Sequence, residues 1–231
     1  MHNTISIIIP TFNEAANIEN AIACTQPSTN VELIVVDGGS QDNTVSIAQS
    51  LGVKVISSPP GRAAQMNCGA IAASGDILLF LHADTRLPAG FDNMVRNALQ
   101  QPKTVAGAFS LQIDADHWTL RWVEKGVNWR SRVYHMPYGD QAIFLTTEIF
   151  QKIGNFPNLP IMEDFELIRR LKRTGKISII PVPVITSARR WLKKGVFHTT
   201  LLNQIVIIAY FLGVSPERIR SWYRQEKFKK F

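Results

Sequence analysis

The stretch LLFLHADT, residues 78–85, decides the fold. Residues 78–81 are four consecutive apolar side chains, long enough for a strand buried on both faces and too short for a free-standing helix. Polarity then changes abruptly, with His82 and Asp84 two positions apart. On an extended segment that spacing turns both side chains to one side, which predicts an imidazole and a carboxylate at the carboxyl end of a buried strand. In an open α/β sheet, ligands bind at that edge. Such a pair can hold a divalent cation, and the cation a diphosphate. The plainer reading is a strand-end turn in which Asp84 caps a backbone amide.

Outward from this strand the same pattern repeats. Residues 5–9 are a continuous β-branched run that stops at Pro10, and residues 31–36 form a second run ending at Asp37, Gly38, Gly39 and Ser40. Residues 53–56 make a third. Between them, Asn13 suits the cap of a helix carrying Ala15, Ile18, Ala21 and Ile22, and a second helix runs through Val45, Ile47, Ala48 and Leu51. The alanine-rich residues 63–73 predict a third helix, with Gly75 just past its end. Strands alternating with helices predict a Rossmann-like, mostly parallel central sheet with helices on both faces.

The second half is less regular. A helix is expected from Pro88 to about residue 100, then a longer alternating strand at 105–113, read as antiparallel. Trp118, Trp122 and Trp129 fall at helical spacing within 118–134, which reads as core packing, with stacking on a ligand as the other use of such rings. A strand follows at 141–145, then an amphipathic helix from Glu163 to Thr174 ended by Gly175, then a last strand at 177–180 before a turn at Pro181 and Pro183. Residues 201–214 are apolar but short of the ~20 a bilayer span needs, so they read as a buried or interfacial helix.

Composition narrows the class. The chain carries a formal charge of +7, yet residues 189–231 hold ten basic and two acidic residues, a net of +8, which leaves −1 for residues 1–188. Basicity is therefore a C-terminal property, and a nucleic-acid-binding face spread over the fold is not expected. Cys24 and Cys68 have no metal-ligand spacing and read as small core residues in a reducing compartment. The start, MHNTISIIIP, lacks the pattern of a secretion signal, which makes the cytoplasm the expected location.

Polar residues stand after successive strands: Asn13 and Glu14, then Asp37, then His82 and Asp84. Aligned parallel strands bring those ends onto one edge of a sheet. The ordered set IIPTFNE (8–14), VDGGSQDNT (36–44), GRAAQMN (61–67), LHADT (81–85), GDQAIF (139–144) and MEDFELIRRL (162–171) resembles the family 2 nucleotide-diphospho-sugar glycosyltransferases of the GT-A fold. In closer wording, with LFLHADT, YGDQAIF, MEDFEL, SARRW and LGVSPERI, it is similar to the subfamily labelled as arsenosugar-biosynthesis glycosyltransferases.

The resemblance implies a GT-A domain over residues 1–195, with a nucleotide-binding half (1–100) and an acceptor half (101–195), and an apolar and basic helical extension over 196–231. It implies a UDP- or GDP-linked sugar donor, a small-molecule or lipid-linked hydroxyl acceptor, and transfer with inversion using Mn²⁺ or Mg²⁺. Pro10, Thr11, Asn13 and Glu14 match the first nucleotide-contacting motif. Asp37, followed by Gly38, matches the acid that accepts a hydrogen bond from base or ribose, as a carboxylate can. Arg62 and Gln65 match a donor-facing segment, Arg62 where helix amides favour a phosphate.

Asp84 matches the last acid of a DxD element that ligates the metal. His82 replaces the first acid, so it is expected either to ligate, with a preference for Mn²⁺, or to bond the sugar. Asp164 matches the general base, with Glu163 beside it, and Asp140 and Gln141 match a segment lining the sugar and acceptor site. Arg190 and Trp191, after Arg189, partly match the (Q/R)xxRW element that binds diphosphate and acceptor in processive members. With no long transmembrane region, processivity is not expected. The basic extension also admits peripheral contact at the inner face of a membrane, or a homodimer. Two other classes compete: a nucleotidyltransferase making nucleotide sugars, whose glycine-rich phosphate loop PTFNEAAN lacks, and a non-catalytic module of the same fold docked on a membrane.

Overall fold

The computed structural model describes residues 3–224; Met1, His2 and residues 225–231, with Lys227, Lys229 and Lys230 of the basic ending, lie outside the described residues. Eight strands, β1 (Ile5–Thr11), β2 (Val31–Asp37), β3 (Lys54–Ser57), β4 (Ile77–Phe80), β5 (Thr85–Arg86), β6 (Thr104–Asp114), β7 (Phe144–Thr146) and β8 (Lys176–Ser187), form one sheet. Their order is β3-β2-β1-β4-β7-β6-β8-β5. Strands β3, β2, β1 and β4 run parallel, β7 runs antiparallel to both its neighbours, and β6 and β8 are parallel again. The helices are α1 (Ile18–Ala23), α2 (Thr44–Ser50), α3 (Arg62–Ala72), α4 (Phe91–Leu99), α5 (Trp118–Tyr134), α6 (Thr147–Lys152), α7 (Glu163–Leu171), α8 (Arg189–Lys194), α9 (Val196–Phe211) and α10 (Pro216–Arg224).

The four apolar residues at 78–81 are buried throughout, and they divide by parity between two cores. Ile5, Ile7, Ile9, Leu79 and Leu81 belong to one core cluster, and Ile8, Ile34, Val36, Leu78 and Phe80 to the other. This is the two-sided burial that a parallel strand requires. Each such side chain contributes about 1.5–3 kcal/mol of transfer free energy.

Several expectations are corrected. Pro10 does not end β1, which continues through Pro10 and Thr11 paired with Val36 and Asp37. Pairing with β4 has already ended at Ile8 and Phe80, so no ladder on that side requires the amide that proline lacks. Asn13 caps no helix: it adopts φ 55°, and α1 begins only at Ile18. Its Oδ1 accepts from Gln41 N at 2.8 Å, and its own amide donates to Ser40 Oγ at 2.9 Å, joining the loops after β1 and β2. Gly75 is needed for close approach and not as a helix stop. A Cβ there would sit 2.6 Å from Ser6 Oγ, while α3 is closed by Ala73 in extended conformation.

The strand expected at 141–145 is shorter and later, because residues Gly139–Gln141 form a single 3-10 turn before β7. The final strand does not turn at its prolines. It bulges there, the pairing jumping from Phe109 with Ile180 to Ser110 with Pro183, since two residues without N–H cannot continue the ladder in register. Strand β8 thus runs on to Ser187, pairs Thr186 with Thr85 of β5, and donates from Ser187 N to Asp84 O at 3.0 Å.

Helix α5 covers the range expected of it, but its tryptophans are not core. Trp118, Trp122 and Trp129 are exposed, Trp118 by 70%. The inward face is polar instead, for a reason set by the sheet. Strand β7 pairs with β6 only at Ala106 and Gly107, leaving the backbone of β6 beyond that point open on one side. Side chains close it: Gln141 Nε2 donates to Phe109 O (2.8 Å), Asn128 bonds both N and O of Leu111 (2.7 and 2.9 Å), Glu124 accepts from Ile113 N (2.5 Å), and Arg121 donates to Ile113 O (2.8 Å). Buried backbone groups need such partners.

Candidate active site

A cavity of about 600 Å³ opens at the carboxyl ends of β1, β4 and β8. From the first strand, Pro10, Thr11 and Glu14 line it. From α3, Gln65 lines it while donating from Nε2 to Thr11 O and Val36 O at 2.7 and 2.9 Å, which pins the ends of β1 and β2 together. Arg62, at the first position of α3, reaches Glu163 Oε1 at 3.3 Å across the opening.

His82 and Asp84 both line the cavity, though not by the extended spacing expected of them. Strand β4 stops at Phe80 and the chain turns, with Thr85 N donating to His82 O at 3.0 Å. Burial, with Arg62 beside it, lowers the His82 pKa to about 3, so the imidazole is neutral at ordinary pH. Burial and Glu14 push the Asp84 carboxyl above its usual range, against the pull of Arg189. The Arg189 guanidinium stands between the two acids, 2.8 Å from Glu14 Oε1 and 3.7 Å from Asp84 Oδ2.

On the facing wall, Met162 in left-handed conformation (φ 72°) turns the chain into α7 and presents Glu163 and Asp164. Asp164 Oδ2 accepts from Gly139 N, and Oδ1 from Phe165 N, both at 2.7 Å. Glu163 is buried, which raises its pKa with Arg62 opposing. Asp140 stands beside them; burial, with Asp164 and Asp84 adding to it and Arg130 opposing, pushes its pKa up to about 6. Arg190 stacks on Tyr223 of α10 and bonds its hydroxyl. Burial and the nearby Arg62 lower the Arg190 pKa to about 10. Among the described residues, Asp140 Oδ1, Arg190 Nη2 and Trp191 Nε1 are buried without a hydrogen-bond partner. Such atoms are costly to leave unpaired, and all three belong to residues of the cavity wall.

Four of the residues singled out in the sequence do not reach the cavity. Asp37 spends its carboxylate on its own loop, accepting from Gly39 N and Ser40 N (2.9 Å each) and Ser40 Oγ (2.5 Å). Gly38 packs on Gln65, where a Cβ would come within 3.0 Å. Asn13 joins the two loops as described. Gln141 is fully buried, accepting from Ser131 Oγ at 2.8 Å and closing the open side of β6. Conversely, Tyr138, Thr186, Ser187 and the extension's Asn203, Val206, Ile207, Arg220 and Tyr223 line the cavity without having been singled out. Thr186 and Ser187 were hidden by the proline bulge. No local motif marks the extension's contribution.

No group of three His, Cys, Asp or Glu side chains stands ready for a metal among the described residues. A hard divalent ion that shares a diphosphate needs only one or two carboxylates from the protein. Asp84 provides one, close to a second acid, Glu14, whose charge raises its pKa, and beside the neutral His82. The residues fit such an ion when phosphate oxygens complete its shell.

The family model described as Glycosyl transferase family 2 matches residues 6–156. Glycosyltransferase AglE of Haloferax volcanii is 40% identical over 91 residues, 35% of this chain and 30% of that protein. The chain spans between 28% and 60% of the length of the curated relatives it matches. The fold is similar to that of a mannosyltransferase from Pyrobaculum calidifontis in complex with GDP-Man and Mn²⁺ (TM-score 0.61, 21% identity, 81% of this chain and 57% of that one). It is also similar to that of glucosyl-3-phosphoglycerate synthase from Mycobacterium tuberculosis in complex with Mn²⁺, UDP and phosphoglyceric acid (TM-score 0.61, 23% identity, 80% and 70%). With the family matched over more than half its length and the fold in agreement, the chain belongs to glycosyl transferase family 2.

Proposed function

We propose that the protein transfers a sugar from a UDP- or GDP-linked donor to a hydroxyl acceptor with inversion at the anomeric carbon. One observation carries this reading: a candidate metal ligand, Asp84, and a candidate base, Asp164, line the same cavity, with unpartnered Asp140, Arg190 and Trp191 groups around it. The neighbours bound to GDP-Man or UDP with Mn²⁺ support the donor class.

Asp84 would hold Mn²⁺ or Mg²⁺, with His82 as the second candidate ligand. The ion would neutralise charge developing on the leaving diphosphate. Asp164 takes the proton of the attacking hydroxyl, held by the amides of Gly139 and Phe165 in one orientation. Arg62, half-exposed at the mouth and anchored by Glu163, faces the donor phosphates. Asp140 bonds sugar hydroxyls, and Arg190 and Trp191 meet the diphosphate and the acceptor. Residues 1–100 form the donor half and 101–195 the acceptor half. The arsenosugar-biosynthesis subfamily is the finer placement, supported by motif wording alone.

The test is a screen of nucleotide sugars with Mn²⁺ or Mg²⁺, reading nucleoside diphosphate release and the anomeric configuration of the product. Release that requires metal, and is lost in Asp164→Asn while the nucleotide still raises the melting temperature, is expected. Release at an unchanged rate in Asp164→Asn, or a product of retained configuration, would sink the reading.

A further inference from the structure

Of the fifteen large hydrophobic side chains exposed among the described residues, twelve lie on α5, α8 and α9 or on Leu212, which closes α9. They are arranged in stripes. On α5, Trp118, Trp122, Trp129 and Val133 recur at spacings of four, seven and four; on α9, Phe197, Leu201, Ile205, Ile208 and Leu212 recur at four, four, three and four. Such spacings put each set on one side of its helix, and the two helices pack against each other. The charge of these helices is one-signed. Together α5, α8 and α9 contain eight Lys or Arg and a single acid, Glu124, which is turned inward onto Ile113 N.

We propose that this surface docks on an anionic lipid bilayer, without crossing it, and that the acceptor is lipid-linked. Exposed tryptophans beside apolar rows suit the boundary between headgroups and acyl chains, and the basic residues suit anionic headgroups. Lys125, 5.0 Å above the Trp122 ring, brings an ammonium group to the same surface. A second copy of the chain fits less well, because a twofold interface would set the exposed cations of this surface, Lys125, Arg132 and Lys193, against their own copies. No helix among the described residues is long and apolar enough to cross a membrane.

The surface and the site share a helix, which is where the inference deepens the proposed glycosyl transfer and rests on it. The opposite side of α9 contributes Asn203, Val206 and Ile207 to the cavity wall, and Phe165, next to Asp164, packs on Tyr210 and Phe211. Seating α9 in a headgroup layer therefore brings the mouth of the cavity to the level at which a lipid-borne hydroxyl is presented.

The test is flotation of the full chain with vesicles of phosphatidylcholine, with and without phosphatidylglycerol. The wild type is expected to bind the anionic vesicles and be released by high salt. The triple variant Trp118→Ser, Trp122→Ser, Trp129→Ser should bind at least about tenfold more weakly, with its melting temperature and nucleotide binding unchanged. A second variant, Leu201→Ser with Ile208→Ser, checks α9 separately. Failure of the wild type to bind, equal binding by both variants, or a stable dimer whose formation depends on these residues would overturn docking. Vesicle binding with sugar transfer confined to water-soluble acceptors would overturn the lipid-linked acceptor. Vesicle binding with no nucleotide bound would overturn the glycosyltransferase reading and leave docking standing.

Discussion

His82 Nε2 and Asp164 Oδ2 face each other across one backbone position: a methyl group at Gly139 would come within 3.1 Å of both. The loop between them is therefore a spacer of minimum width, and the candidate base is aligned by the amide of the residue whose missing side chain leaves the space. Gly139→Ala is expected to keep the fold and nucleotide affinity while lowering kcat by less than about 100-fold, since contacts at 3.1 Å call for shifts well short of the roughly 1 Å of misplacement that costs that much. Steady-state kinetics beside a melting curve would check it; an unchanged kcat would show that the spacing does not matter.

Metal choice should report on His82. With its imidazole neutral and facing the cavity beside Asp84, a ligating His82 favours Mn²⁺ over Mg²⁺. After chelation, turnover is expected to return more strongly with Mn²⁺, and His82→Ala should erase the difference between the two ions. Equal or better activity of the wild type with Mg²⁺ would assign His82 to the sugar.

Asp140 trades stability for its place in the cavity. Its carboxyl has a pKa of about 6 in the fold against about 3.9 in an unfolded chain. The folded state thus holds the proton more tightly, and wild-type stability falls as pH rises through that interval. Asp140→Asn should melt higher than the wild type at pH 7 to 8, by up to about 3 kcal/mol, with the gap closing below about pH 4. Sugar transfer should fall in the same variant. A gap that widens on acidification would contradict the assignment.

Gln141 has the opposite profile. Its amide holds Phe109 O, Ser131 Oγ and Tyr138 N together in a fully buried position. Gln141→Leu should cost about 1–3 kcal/mol by orphaning those groups, lowering the melting temperature by several degrees. A variant as stable as the wild type but impaired in donor binding would return Gln141 to the site.

The strands of the first half were legible because parallel pairing buries both faces, and an uninterrupted run such as residues 78–81 has few other uses. Glu14 and Asp84 were legible because polar residues after buried strands meet at one edge, whereas Glu163 and Asp164, which open α7 and follow no strand, were legible only through the family resemblance. The tryptophans on α5 misled because periodicity tells which residues share a side and not which side is buried. Here the backbone of β6 needed polar partners, and Glu124 and Asn128 took the inner face. Asp37 and Gln141 carry the right chemistry for a ligand, but nearby backbone amides and carbonyls claimed it first. Tyr223 and Arg220 reach the cavity from about a hundred residues beyond Trp118, a distance no local pattern spans.

The two extra residues between Ile180 and Pro183 act as a gauge of chain length. Removing Val182 alone would leave the rung between Thr85 and Thr186 one residue out of step and reverse the facing of every later side chain in β8. Arg189 would then leave the acids it bridges and Arg190 its ring partner. Strand β8 delivers Arg189 and Arg190 to the cavity by counting residues, so tolerance of insertions must be sought on either side of this strand and never within it.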